Sequence, residues 1–441
     1  MTEPDPYLPG HGDDRYSVSH YDLDLQYKVN GNHLDGRAVL HLTAGVRLSD
    51  LVLDLYALSV TSLHVAGAEV ARWSHRASRI RIRLRAPVDP GAELVVTVSY
   101  RGQPRPMPGP DGRTGWEELT DGVLVAAQPH GAPSWFPCND RMADKATYRV
   151  TVRTDPGYRV VSNGLRTSER RAGRRTEWVH EQQEPMATYL ATLQIGRYEL
   201  ARQEDTDVPC WVAAPAARMP AALAAFADQP RMLDTFAECF GPYPFGGYTA
   251  VVTDDPLEIP LESQTLSAFG ANHLSRDWEA QRLIAHELAH QWFGNTVTAA
   301  SLRDIWLHEG FACYAEWLWS EAVGRTTAQE EADRHHGILA RLPQDLVLTD
   351  PGPHRAFDDR VYKRGALALH SLRRVLGDDT FFELLRRWVA DHRFGVVTTA
   401  DFEATVAEVS GSAHDELLGR WLRDPALPPL STGGLRPPPR W

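Results

Sequence analysis

The chain has 441 residues, 43% hydrophobic and 24% charged, with a formal net charge of −12. That length suffices for two or three domains with full cores, and the ordinary apolar content argues against disorder. The acidic balance, with no basic run above scattered arginines, disfavours nucleic acid as a partner.

The N-terminus, Met1-Thr-Glu-Pro-Asp-Pro6, has no basic n-region or apolar core, and no apolar run reaches bilayer-spanning length. No membrane partner and a cytoplasmic location are therefore expected. Cys138, Cys210, Cys239 and Cys313 are widely spaced and form no C-x-x-C pair, which points to single buried thiols. From residue 16 to about 200 the periodicity is two. Tyr21, Leu23, Leu25, Tyr27 and Val29 alternate with Asp22, Asp24, Gln26 and Lys28, and Asn30-Gly31 then supplies a hairpin turn. Ile80, Ile82 and Leu84 alternate with Arg79, Arg81, Arg83 and Arg85, a row that reads as a solvated sheet face. Punctuation at Pro90-Gly91, Pro156-Gly157 and Asn163-Gly164 keeps the segments short, so residues 1–200 are expected to form an antiparallel all-β domain.

Near residue 200 helical spacing takes over. Ala221 to Phe240 reads as a helix interrupted by Pro230, and Gly241-Pro-Tyr-Pro-Phe245 ends it. A β-run from Tyr248 to Thr253 leads into Ile259-Pro-Leu-Glu-Ser263. Further on, Thr398-Thr-Ala-Asp401 has the form of a capping box before a helix over 402–409. Residues 201–427 are assigned to a second, mainly helical domain, and 428–441 to an extended proline-rich tail.

The most informative stretch is Ile284 to Glu316, which opens with His286-Glu287-x-x-His290. Two histidines four apart lie on one helix face one turn apart, so both imidazoles reach one metal ion. Catalytic zinc usually takes three protein ligands and keeps a fourth position for water. Glu309, after 18 intervening residues, is the candidate third ligand on a second amphipathic helix. Glu287 is then available as general base. A surface helix with two histidines is the plain alternative, but the motif sits among Leu283, Ile284, Leu288, Trp292 and Phe293.

The blocks His286 to Asn295 (HELAHQWFGN) and Trp306 to Glu316 (WLHEGFACYAE) resemble the zinc aminopeptidases typified by aminopeptidase N and leukotriene A hydrolase, which are gluzincins. The resemblance implies a thermolysin-like catalytic domain behind the β domain, and one Zn2+ per chain. It covers nearly all of the chain but only the first two domains of that architecture, with no counterpart of the family's helical C-terminal domain. His308 stands where the family usually has asparagine. A fourth ligand is conceivable there, but neighbouring helical side chains point about 100° apart, which makes His308 a packing partner of the site.

Other roles are carried over by motif. Gln128, nine residues before Pro137 in QPHGAPSWFPCND, falls where the family holds the substrate's amino terminus. Glu262 keeps the glutamate of the family's G-x-M-E-N strand, whose glycine, methionine and asparagine are replaced here, and is implied to bind the same ammonium. Tyr362, in Tyr362-Lys-Arg-Gly-Ala366, matches the family's oxyanion-stabilising tyrosine. Glu258, just before the altered motif, lies on the implied wall of the pocket for the first side chain and would favour arginine or lysine there. The alternative is that Ile259-Pro260 turns it to solvent.

The resulting expectation is a zinc-dependent aminopeptidase that cleaves the N-terminal residue from peptides with a free N-terminus by attack of a zinc-bound water. The rivals are a thermolysin-type endopeptidase and a metal-free binding scaffold derived from a peptidase.

Overall fold

The computed structural model describes residues 4–109, 112–203 and 207–430. The expected tail therefore lies outside the described residues from 431 onward. By contact the chain separates into two compact units, Met1–Leu223 with Phe245–His273, and Ala224–Pro244 with Leu274–Trp441. Compactness does not divide the chain at residue 200. Strands Tyr198–Gln203 and Cys210–Pro215 join Tyr248–Val252, Leu266–Phe269 and Leu261–Ser263 in one mixed sheet, which keeps residues beyond 200 in the first unit.

The first unit is β-rich because its apolar residues recur every second position. In Tyr16–Lys28 the buried Tyr21, Leu23, Leu25 and Tyr27 point to one face of a seven-stranded sheet. That sheet is not wholly antiparallel, since Tyr16–Lys28 runs parallel to Lys145–Thr154 with Leu23 beside Val150. Period-two alternation fixes which face is buried but not strand direction, and a parallel pair is joined by a long crossover that leaves no turn signature. The first hairpin closes through Val29 to Asn32, with positive φ at Gly31 (92°) and Asn32 (44°), one residue later than Asn30-Gly31 suggests.

In Arg79–Val88 the arginine row is split. Arg81, Arg83 and Arg85 are exposed over the buried Ile80, Ile82 and Leu84, but Arg79 turns inward. Its Nε lies 3.3 Å from Asp54 Oδ1, and its terminal nitrogens donate to the Gly10 and Gly12 carbonyls. The four cysteines are buried thiols.

The second unit is helical. The expected interruption is present as two helices, Met219–Ala225 and Gln229–Phe240, and Pro230 occupies the first turn of the second, where its missing N–H leaves no helical bond unmade. Thr398 and Asp401 form the reciprocal capping box of Thr399–Ser410, and Thr399 Oγ1 in turn accepts from Trp306 Nε1 at 2.9 Å. Helices Trp306–Ala322 and Asp359–Leu376 meet backbone to backbone at Gly310 and Gly365. A Cβ on Gly310 would stand 2.8 Å from Gly365 Cα, so only glycine permits that approach. No helix among the described residues is long and apolar enough to cross a membrane.

Candidate active site

Helix Trp278–Ala289 starts at Asp277, whose side chain accepts from the Ala280 N–H at 3.0 Å, and buries Ile284, Ala285 and Leu288 on its inner face. His286 lies in its last turn and His290 at its C-cap, with ring centroids 4.8 Å apart. Glu309, in the first turn of Trp306–Ala322, completes the group, and all three side chains are buried. Glu309 Oε2 is 3.4 Å from His286 Nε2 and 3.4 Å from His290 Nε2. Ligand atoms held about 2.0–2.1 Å from a tetrahedral zinc ion lie roughly 3.3–3.4 Å apart, so the donor set already has the spacing such an ion requires.

The outer partners fix which ring nitrogens face inward. His286 Nδ1 donates to Glu316 Oε1 at 2.8 Å, and His290 Nδ1 donates to the Phe293 carbonyl at 3.0 Å. Each bond leaves Nε2 as the lone-pair nitrogen toward the ion. Burial pushes the His286 imidazole down, yet hydrogen bonds to Glu309 and Glu316 leave it raised to about 9. Burial likewise favours the protonated form of Glu316, but Lys363, His286 and Arg282 together hold it at about 2. Both histidines hold Glu309 below the usual carboxylate range despite its burial. The donor set is therefore one cationic imidazole short of its metal-ready form, and a metal would displace that proton.

Residues 17–190 match the Peptidase M1 N-terminal domain and residues 224–421 the Peptidase family M1 domain. Crystal structures of the M1 zinc metallopeptidase from Deinococcus radiodurans superpose with a TM-score of 0.89 at 31% identity, covering 98% of this chain and 99% of that one. The chain belongs to peptidase family M1. A mutant of the Deinococcus M1 peptidase was solved with a Tyr-Ser-Ala substrate, also at 31% identity and a TM-score of 0.89. Among curated M1 relatives, Aminopeptidase M1 of Arabidopsis thaliana is 26% identical over 70% of this chain, and the leucyl aminopeptidase of Saccharolobus solfataricus 23% identical over 93%. The chain spans 37% and 54% of the lengths of those two.

Within this M1 chain the remaining candidates fall as follows. Glu287 is buried in the same helix turn as His286. Tyr362 is half-buried in the first turn of Asp359–Leu376, its ring 5.9 Å from that of His286 at an interplanar angle of 19°. His308 is not in the ligand group, because its Nε2 accepts the Ala299 N–H at 2.7 Å. In the first unit, Gln128 Nε2 donates to Glu262 Oε1, which joins two residues 134 positions apart. Glu262 sits in the edge strand Leu261–Ser263, opposite Ser267, and Pro260 lies just outside that strand. Glu258 is exposed in a bend ahead of it. Glu316 was missed in the sequence, although it lies seven residues after Glu309 and so on the same helix face two turns on.

Proposed function

We propose that the chain is a zinc-dependent aminopeptidase, a hydrolase that removes the first residue from peptides with a free N-terminus, with one catalytic Zn2+ per chain held by His286, His290 and Glu309. The observation that carries this reading is the pair of 3.4 Å separations from Glu309 Oε2 to two histidine nitrogens whose partner nitrogens are already engaged. Zinc bound there supplies Lewis acidity to the scissile carbonyl and lowers the pKa of water.

The chain's own residues do the rest. Glu287 takes the proton of the attacking water on a carboxylate oxygen and passes it to the leaving amine nitrogen. Tyr362 donates its phenolic O–H to the oxyanion of the tetrahedral adduct, adding no charge of its own. Glu262 and Gln128 receive the α-ammonium. An ammonium offers only donors, and a carboxylate beside an amide oxygen offers matching acceptors. The part-buried Gln128–Glu262 hydrogen bond supports that pairing by holding both side chains in one place. Peptides are the partners in this reading, with no nucleic acid or membrane, and the cytoplasm is the proposed location.

Glu258, although exposed in its bend, is proposed to favour arginine or lysine as the first residue of the substrate. A panel of aminoacyl fluorogenic substrates tests this, with the expected preference weakened in Glu258→Ala. The exopeptidase reading itself is tested by comparing a free-amino peptide with its N-acetylated form, before and after zinc removal by a chelator. Only the free-amino peptide should be cut, and only with zinc. Efficient cleavage of the acetylated peptide would instead identify an endopeptidase.

A further inference from the structure

We propose that His11, His130 and Asp140 form a second divalent-metal site, of the zinc class, which staples the N-terminal segment to the first unit. One ring nitrogen of each histidine and one oxygen of Asp140 lie within 4.8 Å of one another. This is one of two such groups among the described residues, the other being the His286, His290 and Glu309 set. His11 Nδ1 is 3.1 Å from Asp140 Oδ2, and the two imidazole centroids are 4.6 Å apart. His130 is 2% exposed and its Nδ1 is buried without a hydrogen-bond partner. A buried imidazole nitrogen with no partner is costly in a folded protein unless something else answers its lone pair or its proton.

The surroundings are built to hold this group in place. Asp140 Oδ1 accepts from Thr188 Oγ1 at 3.1 Å, which aims the carboxylate. The backbone around His11 is anchored on both sides of Gly12. Gly12 N–H donates to Asp54 Oδ2 at 2.8 Å, Asp13 N–H donates to Asn139 Oδ1 at 2.7 Å, and Asn139 Nδ2 donates back to the Asp13 carbonyl at 3.2 Å. Gly12 has φ of +62°, and a Cβ there would fall 2.1 Å from an Arg141 side-chain atom, so the segment threads a gap that only glycine fits.

Charge points the same way. Asp54 and Asp140 are both buried; Arg79 lies 3.3 Å from Asp54, whereas the ion-pair partner of Asp140 is the His11 imidazole at 3.1 Å, a role that a metal held by both would take over. Two imidazoles and a carboxylate suit zinc and its neighbours in the first transition row, whereas calcium and magnesium prefer oxygen alone. Tetrahedral coordination places donors roughly 3.3–3.4 Å apart, and His11 Nδ1 and Asp140 Oδ2 already stand 3.1 Å apart. The His11 side chain, 24% exposed, is the member with space to move.

The test counts metal in the full chain. After loading with zinc chloride and desalting, elemental analysis should find two equivalents in the unaltered protein and one in each of His11→Ala, His130→Ala and Asp140→Asn. The His286→Ala/His290→Ala double variant should retain one equivalent, and its melting temperature should fall on adding a chelator. His11→Ala removes a partly exposed side chain, so it reports on binding even if the buried variants fold poorly. A single equivalent in the unaltered protein, or a second equivalent that survives His11→Ala, would overturn the proposal and leave His11 and Asp140 as a simple ion pair.

Discussion

The two histidine–carboxylate clusters differ in what stands behind the imidazoles. In the helical unit each ligand histidine has its second nitrogen engaged, by Glu316 for His286 and by the Phe293 carbonyl for His290. In the β unit His130 has no such partner, and His11 uses its Nδ1 on Asp140 itself. Outer partners fix ring orientation and raise ligand basicity. The helical cluster is thus prepared for tight binding before any ion arrives, whereas the β cluster lacks that outer support. Rigid second contacts, more than the identity of the donors, distinguish a site fit for chemistry from one fit for fastening.

The sharpest way to separate holding a metal from using one is Glu287→Gln, which keeps the shape and loses the base. Turnover should fall by about 1,000-fold or more with zinc content and melting temperature unchanged. A variant keeping more than about a tenth of wild-type turnover would remove Glu287 from the mechanism. The next effect lies in the β unit but in charge recognition, not metal binding. Glu262→Ala should raise KM for free-amino substrates by the equivalent of about 2–5 kcal/mol, as expected when a buried ammonium loses its charged partner. Steady-state kinetics with and without the substituted carboxylate measure it.

Glu316→Gln brings the helical cluster closer to the condition of the β cluster, since the anionic acceptor behind His286 is lost. Zinc affinity should drop about 10–100-fold, read by competition with a coloured chelator. An unchanged affinity would mean that the outer carboxylate does not explain the contrast between the clusters. The smallest effect is in pH. The metal-free His286 is raised to about 9, so below that value binding must release its proton. Apparent zinc affinity should then climb up to roughly tenfold per pH unit between pH 6 and 8. Proton release on titration with zinc in weakly buffered solution checks the sign.

The same contrast explains what could be read in the sequence. His286, His290 and Glu309 are visible because two lie on one helix and the third follows at a short, fixed distance, so local geometry carries the message. Glu316 obeys the same helical arithmetic and was there to be read. His11, His130 and Asp140 come from segments that only sheet pairing and the Asp13–Asn139 contacts bring together, and no local period encodes that. The Gln128–Glu262 contact is equally long-range, and its members were reached through resemblance alone. The parallel pairing of Tyr16–Lys28 with Lys145–Thr154 was hidden for a related reason, since alternation looks alike in either strand direction.

The Gly310–Gly365 approach has a mechanical consequence. Glu309 adjoins one glycine, and Tyr362 lies one turn before the other, next to a crossing where the two backbones touch with no side chain between them. Side chains act as compliant spacers that let packed helices slide by changing rotamers, and here that compliance is missing. The proposed metal carboxylate and the proposed oxyanion donor therefore ride on one stiff beam. Any opening or closing around a substrate has to carry them together, which preserves their spacing while the surroundings breathe.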